Sequence, residues 1–248
     1  MSNRNLRATI KPLGDSALIV QLGEGISPSI HELVSNLSTL LNDHPFEGFI
    51  ESVPAYNNLT VYYNPIVVHR LQINRQTHYT PLTPFQKVSD FMGELVKQIG
   101  TNKFHNERVV TIPVLYGGKF GPDLEYVAKY HDLSIDEVIQ IHSENDYLVY
   151  MIGFAPGFPF MGGLNEQIAT PRKETPRLVI APGSVGIAGK QTGVYSLETP
   201  GGWQIIGRTP LDLFLPTISP PTLLQAGDKI RFAPISPKEY DHYKGMKL

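Results

Sequence analysis

The chain has 248 residues, 41% of them hydrophobic and 18% charged, with a formal net charge of −2 and no cysteine. That length fills one large or two modest domains, and the composition is that of a globular protein with a sizeable core. The near-neutral charge leaves no footprint for nucleic acid or a membrane surface, and the missing cysteine excludes disulfides, thiolate catalysis and cysteine-ligated zinc.

In chain order, residues 6–11 and 17–21 read as two short strands about a turn at Gly14-Asp15. The stretch before and through them, MSNRNLRATIKPLGDSALIV, lacks the apolar run of a signal peptide, so the expected location is cytoplasmic. Ser27 is of N-cap type and Pro28 suits the first helical position. Ile30, Leu33, Val34, Leu37 and Leu41 then recur at the spacing of one buried helical stripe. Residues 49–53 and 59–63 form a second strand pair around Tyr56-Asn57-Asn58, and residues 75–83 are polar and turn-prone. Thr83-Pro84 opens another helix, with Phe85, Val88, Met92, Leu95 and Ile99 on one face and Gly100 as its stop. Residues 1–103 thus predict a small α+β domain of two strand pairs and two covering helices.

A second domain, residues 104–248, begins with a strand over 108–114, in which Pro113 marks an edge or an end. A flexible loop over 117–121 and a helix over 122–130 follow, then a helix over 135–142 introduced by the capping box of Ser134 and Glu137. Residues 147–164 carry no charge over 18 positions, long enough for a membrane span, but six of them are Gly or Pro. That run reads as strand, loop, strand. Between Tyr150 and Arg208 lie eleven of the 22 glycines, interleaved with prolines and short sheet-forming runs, a pattern of strands and tight turns closing into a barrel or sandwich. Residues 229–232 alternate as a last strand, and the chain from Lys238 on is polar and peripheral.

Within that ribbon, the stretch from Gly183 to Thr192 misses the phosphate-loop frame, with Ser184 and Gln191 at positions that need Gly and Ser or Thr. Two roles stay open for Gly183, Ser184, Gly186, Gln191 and Thr192: turns of a coiled barrel, or backbone donors facing an anion. Five cations (Arg172, Lys173, Arg177, Lys190, Arg208) stand against three carboxylates (Glu166, Glu174, Glu198) between residues 150 and 210, and two readings stay open: a small anionic ligand held at Arg172, Arg177 and Arg208, or ordinary solvated surface charges. Phe154, Phe158, Tyr195 and Trp203 serve either as core or as the lining of a pocket or partner groove. The eight histidines show no metal-ligand spacing, and His142 reads as a helix-end cation or a core-satisfied residue. No nucleophile or base can be assigned.

Five ordered motifs go further: Tyr116-Gly117-Gly118-x-Phe120-Gly121-Pro122-Asp123-Leu124, His142-Ser143, Gly153-Phe154-x-Pro156-Gly157-Phe158-Pro159, the run from Gly183 to Gly193, and Pro200-Gly201-Gly202-Trp203-x-x-Ile206-Gly207-Arg208-Thr209-Pro210. Together with Pro12-Leu13-Gly14-Asp15-Ser16-Ala17 they resemble the KipI family, which comprises the B subunit of bacterial 5-oxoprolinase, also called allophanate hydrolase subunit 1 or carboxyltransferase domain subdomain C. The resemblance implies a small α/β N-terminal domain followed by a cyclophilin-like β-barrel. It also implies a complex with subunits A and C that hydrolyses 5-oxo-L-proline to L-glutamate at the expense of ATP. Family alternatives are inhibition of a sporulation histidine kinase and biotin-dependent carboxyl transfer. Lys119 stands where the family usually has glutamate, Ala181-Pro182 reverses the usual order, and Ser196 replaces a common proline.

Overall fold

The computed structural model describes residues 8–71, 82–99 and 108–245. The chain divides into two compact units, residues 1–106 and 107–248.

In the first unit β1 (Thr9–Pro12), β2 (Ala17–Gln21), β3 (Phe49–Pro54) and β4 (Asn58–Tyr63) form an antiparallel sheet in the order β1-β2-β4-β3. Its helices are α1 (Pro28–Asp43), α2 (Pro65–Arg70) and α3 (Pro84–Gln98). The predicted stripes are real: Val34, Leu37 and Leu41 of α1 and Val88, Met92 and Leu95 of α3 share one core with Leu18, Val20, Leu59 and Val61 of the sheet. Ser27 occupies the N-cap of α1, but its hydroxyl bonds Ser29 instead of the helix backbone. Thr83 and Gln86 close a capping box on α3. The helix α2, capped by Asn64, was not expected, because six residues are too few to show a period. Residues 6–7, 75–81 and Gly100 of the predicted elements lie outside the described residues.

The second unit holds β5 (Val109–Tyr116), β6 (Asp146–Ile152), β7 (Pro159–Gly162), β8 (Arg177–Ile180), β9 (Ser184–Ala188), β10 (Gln191–Val194), β11 (Thr199–Gly201), β12 (Gln204–Arg208) and β13 (Lys229–Pro234). Seven of these close into a barrel in the order β10-β7-β6-β13-β5-β12-β9, while β8 and β11 form a separate two-stranded ribbon. All barrel pairs are antiparallel except β13 with β5. Around it lie α4 (Leu124–Tyr130), α5 (Ile135–Glu144) and α6 (Pro237–Gly245). The barrel interior is filled by Ile112, Val114, Val149, Met161, Val185, Ile187, Ile206 and Phe232, so it is a core and not a channel.

Two local expectations need correction. Pro113 does not end its strand: β5 runs on to Tyr116, and β12 joins it only from Leu115, so no ladder partner on that side asks for an N–H at Pro113. The C-terminal residues are not peripheral, since α6 buries Tyr240 to 5% exposure against Phe120. A helix with one anchoring side chain shows no apolar stripe. Of the two roles open to the run from Gly183 to Thr192, it takes the first, as the β9–β10 hairpin of the barrel with Gly189 and Lys190 at its turn. Gly189 supplies the positive φ of the turn, and the other glycines serve close packing. Gly183 has φ +79 and faces the Thr209 carbonyl, while a Cβ on Gly193 would come within 2.9 Å of the Trp203 ring.

Replacing Gly183 with Ala should therefore destabilise the barrel by about 2 kcal/mol or more, through left-handed backbone and a carbonyl clash. Thermal unfolding followed by the fluorescence of Trp203, the sole tryptophan, reads this unit directly.

Candidate functional site around the Tyr116 to Asp123 turn

Where β5 ends, the chain makes a tight turn stitched to the barrel rim. The Gly117 N–H donates to the Ile206 carbonyl at 3.0 Å, and Gly121 packs on that same carbonyl with no room for a Cβ. Gly117 and Gly118 have φ of +72 and +53, which glycine adopts without strain. Two cavities of about 340 Å³ each flank this turn. Tyr116, Gly117 and Gly118 border both. One is completed by Lys119, Phe120, Tyr240 and Asp241, the other by Glu125, Ile135 and Ile139.

Asp123 closes the turn and is the charged hub of the region. Its carboxylate is 8% exposed and accepts from Arg177 Nη2 at 2.7 Å, from the Ile205 N–H at 2.7 Å and from Lys173 Nζ at 3.5 Å. The Asp123 N–H in turn donates to the Ile205 carbonyl at 2.9 Å. Asp123 therefore ties the start of α4 to β12 and to the segment that leads into β8. Arg177 Nη1 also reaches the Trp203 carbonyl at 3.5 Å.

Behind Tyr116 a chain of hydrogen bonds enters the core. Thr192 Oγ1 donates to the Gly186 carbonyl at 3.1 Å, so it accepts from His142 Nε2 at 2.9 Å, and His142 Nδ1 is left to accept from the Tyr116 hydroxyl at 2.8 Å. The imidazole is fully buried, stacked on Phe232 at 4.6 Å, and burial lowers its pKa to about 3. Burial likewise pushes the Tyr116 phenol well up. His142 is thus a neutral, core-satisfied residue. That settles the choice left open by its position near the end of α5.

The expected site residues fall into three places. Arg177, Tyr195 and Trp203 come together, and Arg172 acts with Arg177 on the Tyr195 phenol, partly opposing the upward pull of its burial. Thr192 lies in the core with His142, and the Gly186 carbonyl holds it. Gly183, Ser184 and Arg208 meet at the start of β9, where Arg208 Nε donates to Pro182 O at 2.8 Å. The hairpin's backbone donors are engaged: Gly183 N–H binds Tyr195 O, Ser184 N–H binds Ala181 O, and Gly189 N–H binds Thr170 O, while Gln191 pairs across to Ala188. The anticipated anion loop is therefore absent from this stretch, because a ladder consumes the N–H groups that a phosphate needs. Phe158, Tyr195 and Trp203 do not line an open groove but pack edge to face as a buried cluster, and only Phe154, 68% exposed with φ +66, faces outward. Asp123, Tyr116 and the flanking cavities were missed. The run from Tyr116 to Asp123 carries the family likeness in sequence, but nothing local in it shows that Asp123 is buried among cations from distant segments.

Among the described residues no group of three or more His, Asp or Glu gathers to hold a metal, and no helix is long and apolar enough to cross a membrane. Residues 8–224 match the carboxyltransferase domain, subdomain C and D, and the chain belongs to that family. It is 49% identical over 242 residues to the 5-oxoprolinase B subunit of Bacillus subtilis (strain 168), covering 96% of this chain and 98% of that protein. Identity to the 5-oxoprolinase B subunit of Escherichia coli O157:H7 is 39% over 228 residues, 92% of this chain and 96% of that one. Among solved structures, TTHA0988 superposes with a TM-score of 0.73 at 31% identity, over 89% of this chain and 40% of that longer one.

Two outcomes follow from the geometry. Asp123→Ala should cost about 2–4 kcal/mol, because it orphans Arg177 and the Ile205 N–H, and Asp123→Asn should recover part of that by keeping an acceptor. Melting curves on the Trp203 signal distinguish the two. For His142, the unfolded chain binds a proton below its ordinary pKa of 6.5 while the folded chain stays neutral down to about 3. Its stabilisation is complete above 6.5 and declines by about 1.4 kcal/mol per pH unit as pH falls towards 3. His142→Gln should be less stable at pH 7 yet lose stability less steeply between pH 6 and about 4, as denaturant titrations at each pH would show.

Proposed function

We propose that this chain is the B subunit of an ATP-dependent 5-oxoprolinase, acting in the cytoplasm with subunits A and C, its barrel being of the cyclophilin-like kind. The observation that carries this reading is the 49% identity to a 5-oxoprolinase B subunit across 98% of that protein's length. In the reaction, one water opens the lactam, its oxygen ending in the new side-chain carboxylate and the ring nitrogen leaving as the α-amine. ATP gives its terminal phosphoryl group to the lactam oxygen and leaves as ADP, and after ring opening a second water cleaves the resulting acyl phosphate to release phosphate. Opening an unstrained lactam breaks amide resonance, and phosphorylating its oxygen makes the carbon electrophilic.

The ATP phosphates have no fit in the stretch from Gly183 to Thr192, whose N–H groups serve a β-hairpin. The phosphoryl step is expected at the assembled complex, away from this hairpin. This chain's contribution is to bind and orient an anion. Arg172 and Arg208 keep that role, while Arg177 and Lys173 are held on Asp123.

The purified chain alone should turn over no 5-oxo-L-proline, whereas mixing it with subunits A and C should give ATP-dependent L-glutamate formation, followed by a coupled glutamate assay. Full activity from A and C without this chain rules the role out.

A further inference from the structure

The cavity between the Gly117–Phe120 turn and α6 holds charges that neither the fold nor the Asp123 hub uses. Lys119 Nζ sits 5.1 Å above the Phe120 ring, and no carboxylate pairs with it among the described residues. The Phe120 ring lies 4.8 Å from that of Tyr240, so an aromatic wall carries the ammonium at the cavity's edge. Tyr240 brings a phenol that burial keeps protonated, hence a donor, and Arg208 adds positive potential there. Opposite in sign, Asp241 lines the same space. α6 does not lend its N-terminus to a ligand, because Ser236 and Glu239 satisfy each other in a capping box.

A cation, a neutral phenol and one carboxylate around a space of about 340 Å³ define a restricted ligand class. The volume suits a molecule of small-metabolite size. The cation and phenol match a carboxylate, and Asp241 needs a donor from the same molecule. A bare anion leaves Asp241 opposed by charge; a bare cation is opposed by Lys119. From this juxtaposition we infer that the cavity lined by Lys119, Phe120, Tyr240 and Asp241 binds a small carboxylic acid that also carries an N–H donor. This rests on the 5-oxoprolinase reading only for the choice of probe, since both the lactam acid and the amino acid of that reaction belong to the class.

The test is titration of the isotope-labelled full chain with 5-oxo-L-proline, L-glutamate and 2-pyrrolidinone, which keeps the lactam but lacks the carboxylate. Saturable shifts of the Gly118 and Lys119 amides are expected with at least one of the two acids, and binding of 2-pyrrolidinone at least tenfold weaker. Lys119→Glu should weaken the acid at least tenfold, and Tyr240→Phe should weaken it severalfold with the fold unchanged. The acid that binds more tightly identifies the ligand of this cavity. Absence of saturation, equal binding of 2-pyrrolidinone, or an unaffected Lys119→Glu variant overturns the inference. Acid binding in a chain that supports no turnover with A and C removes the enzyme reading and leaves this site standing. Turnover by a chain that binds neither acid removes this site alone.

Discussion

A single buried carboxylate organises the functional end of this protein. Asp123 receives one guanidinium, one ammonium and one backbone N–H in a pocket where it is 8% exposed. Its partners arrive from three separate stretches: β12, Arg177 at the start of β8, and the connection containing Lys173. A charge in low dielectric is stable only when so compensated, so these stretches are held in one arrangement or lose much of their anchoring. The packing of Trp203 and Tyr195 beneath the ribbon depends on that arrangement, since Arg177 also reaches the Trp203 carbonyl.

The second polar network works differently. Tyr116, His142 and Thr192 form a chain of neutral groups in which every proton has one acceptor, ending on the Gly186 carbonyl. Because Thr192 gives its proton away, the imidazole is locked as the Nε2–H tautomer. The Tyr147 hydroxyl meets the carbonyl of His142 at 2.7 Å, so the histidine's backbone is held as well as its ring. The result pins the last turn of α5 to β5, β9 and β10, and fixes the tyrosine from which the Gly117–Phe120 turn departs. Charge compensation sets one side of that turn and neutral hydrogen bonding the other. Both leave the turn itself facing two open cavities.

Much of the scaffold was legible in the residues. Helices with long periodic stripes, α1 and α3, and the capping box of α5 follow from local spacing, which water reads the same way in any fold. The uncharged run at 147–164 resolves into β6, a turn and β7 because glycine and proline disfavour a helix wherever they occur. Helices with a weak local signature, α2 and α6, were invisible. The latter owes its place to one tyrosine meeting Phe120 across the fold.

What the sequence determined alone was therefore the local chemistry: a closed turn-rich ribbon, the absence of thiol chemistry, and motifs dense enough to point to the family. Only the tertiary structure decided which groups are free. It committed the hairpin's N–H groups to a ladder, Arg177 to Asp123 and three aromatics to a core, and it left Lys119 and Tyr240 beside a cavity. The reason is physical. A residue's type states which bonds it can make, but only distances across the fold state which of them are already made.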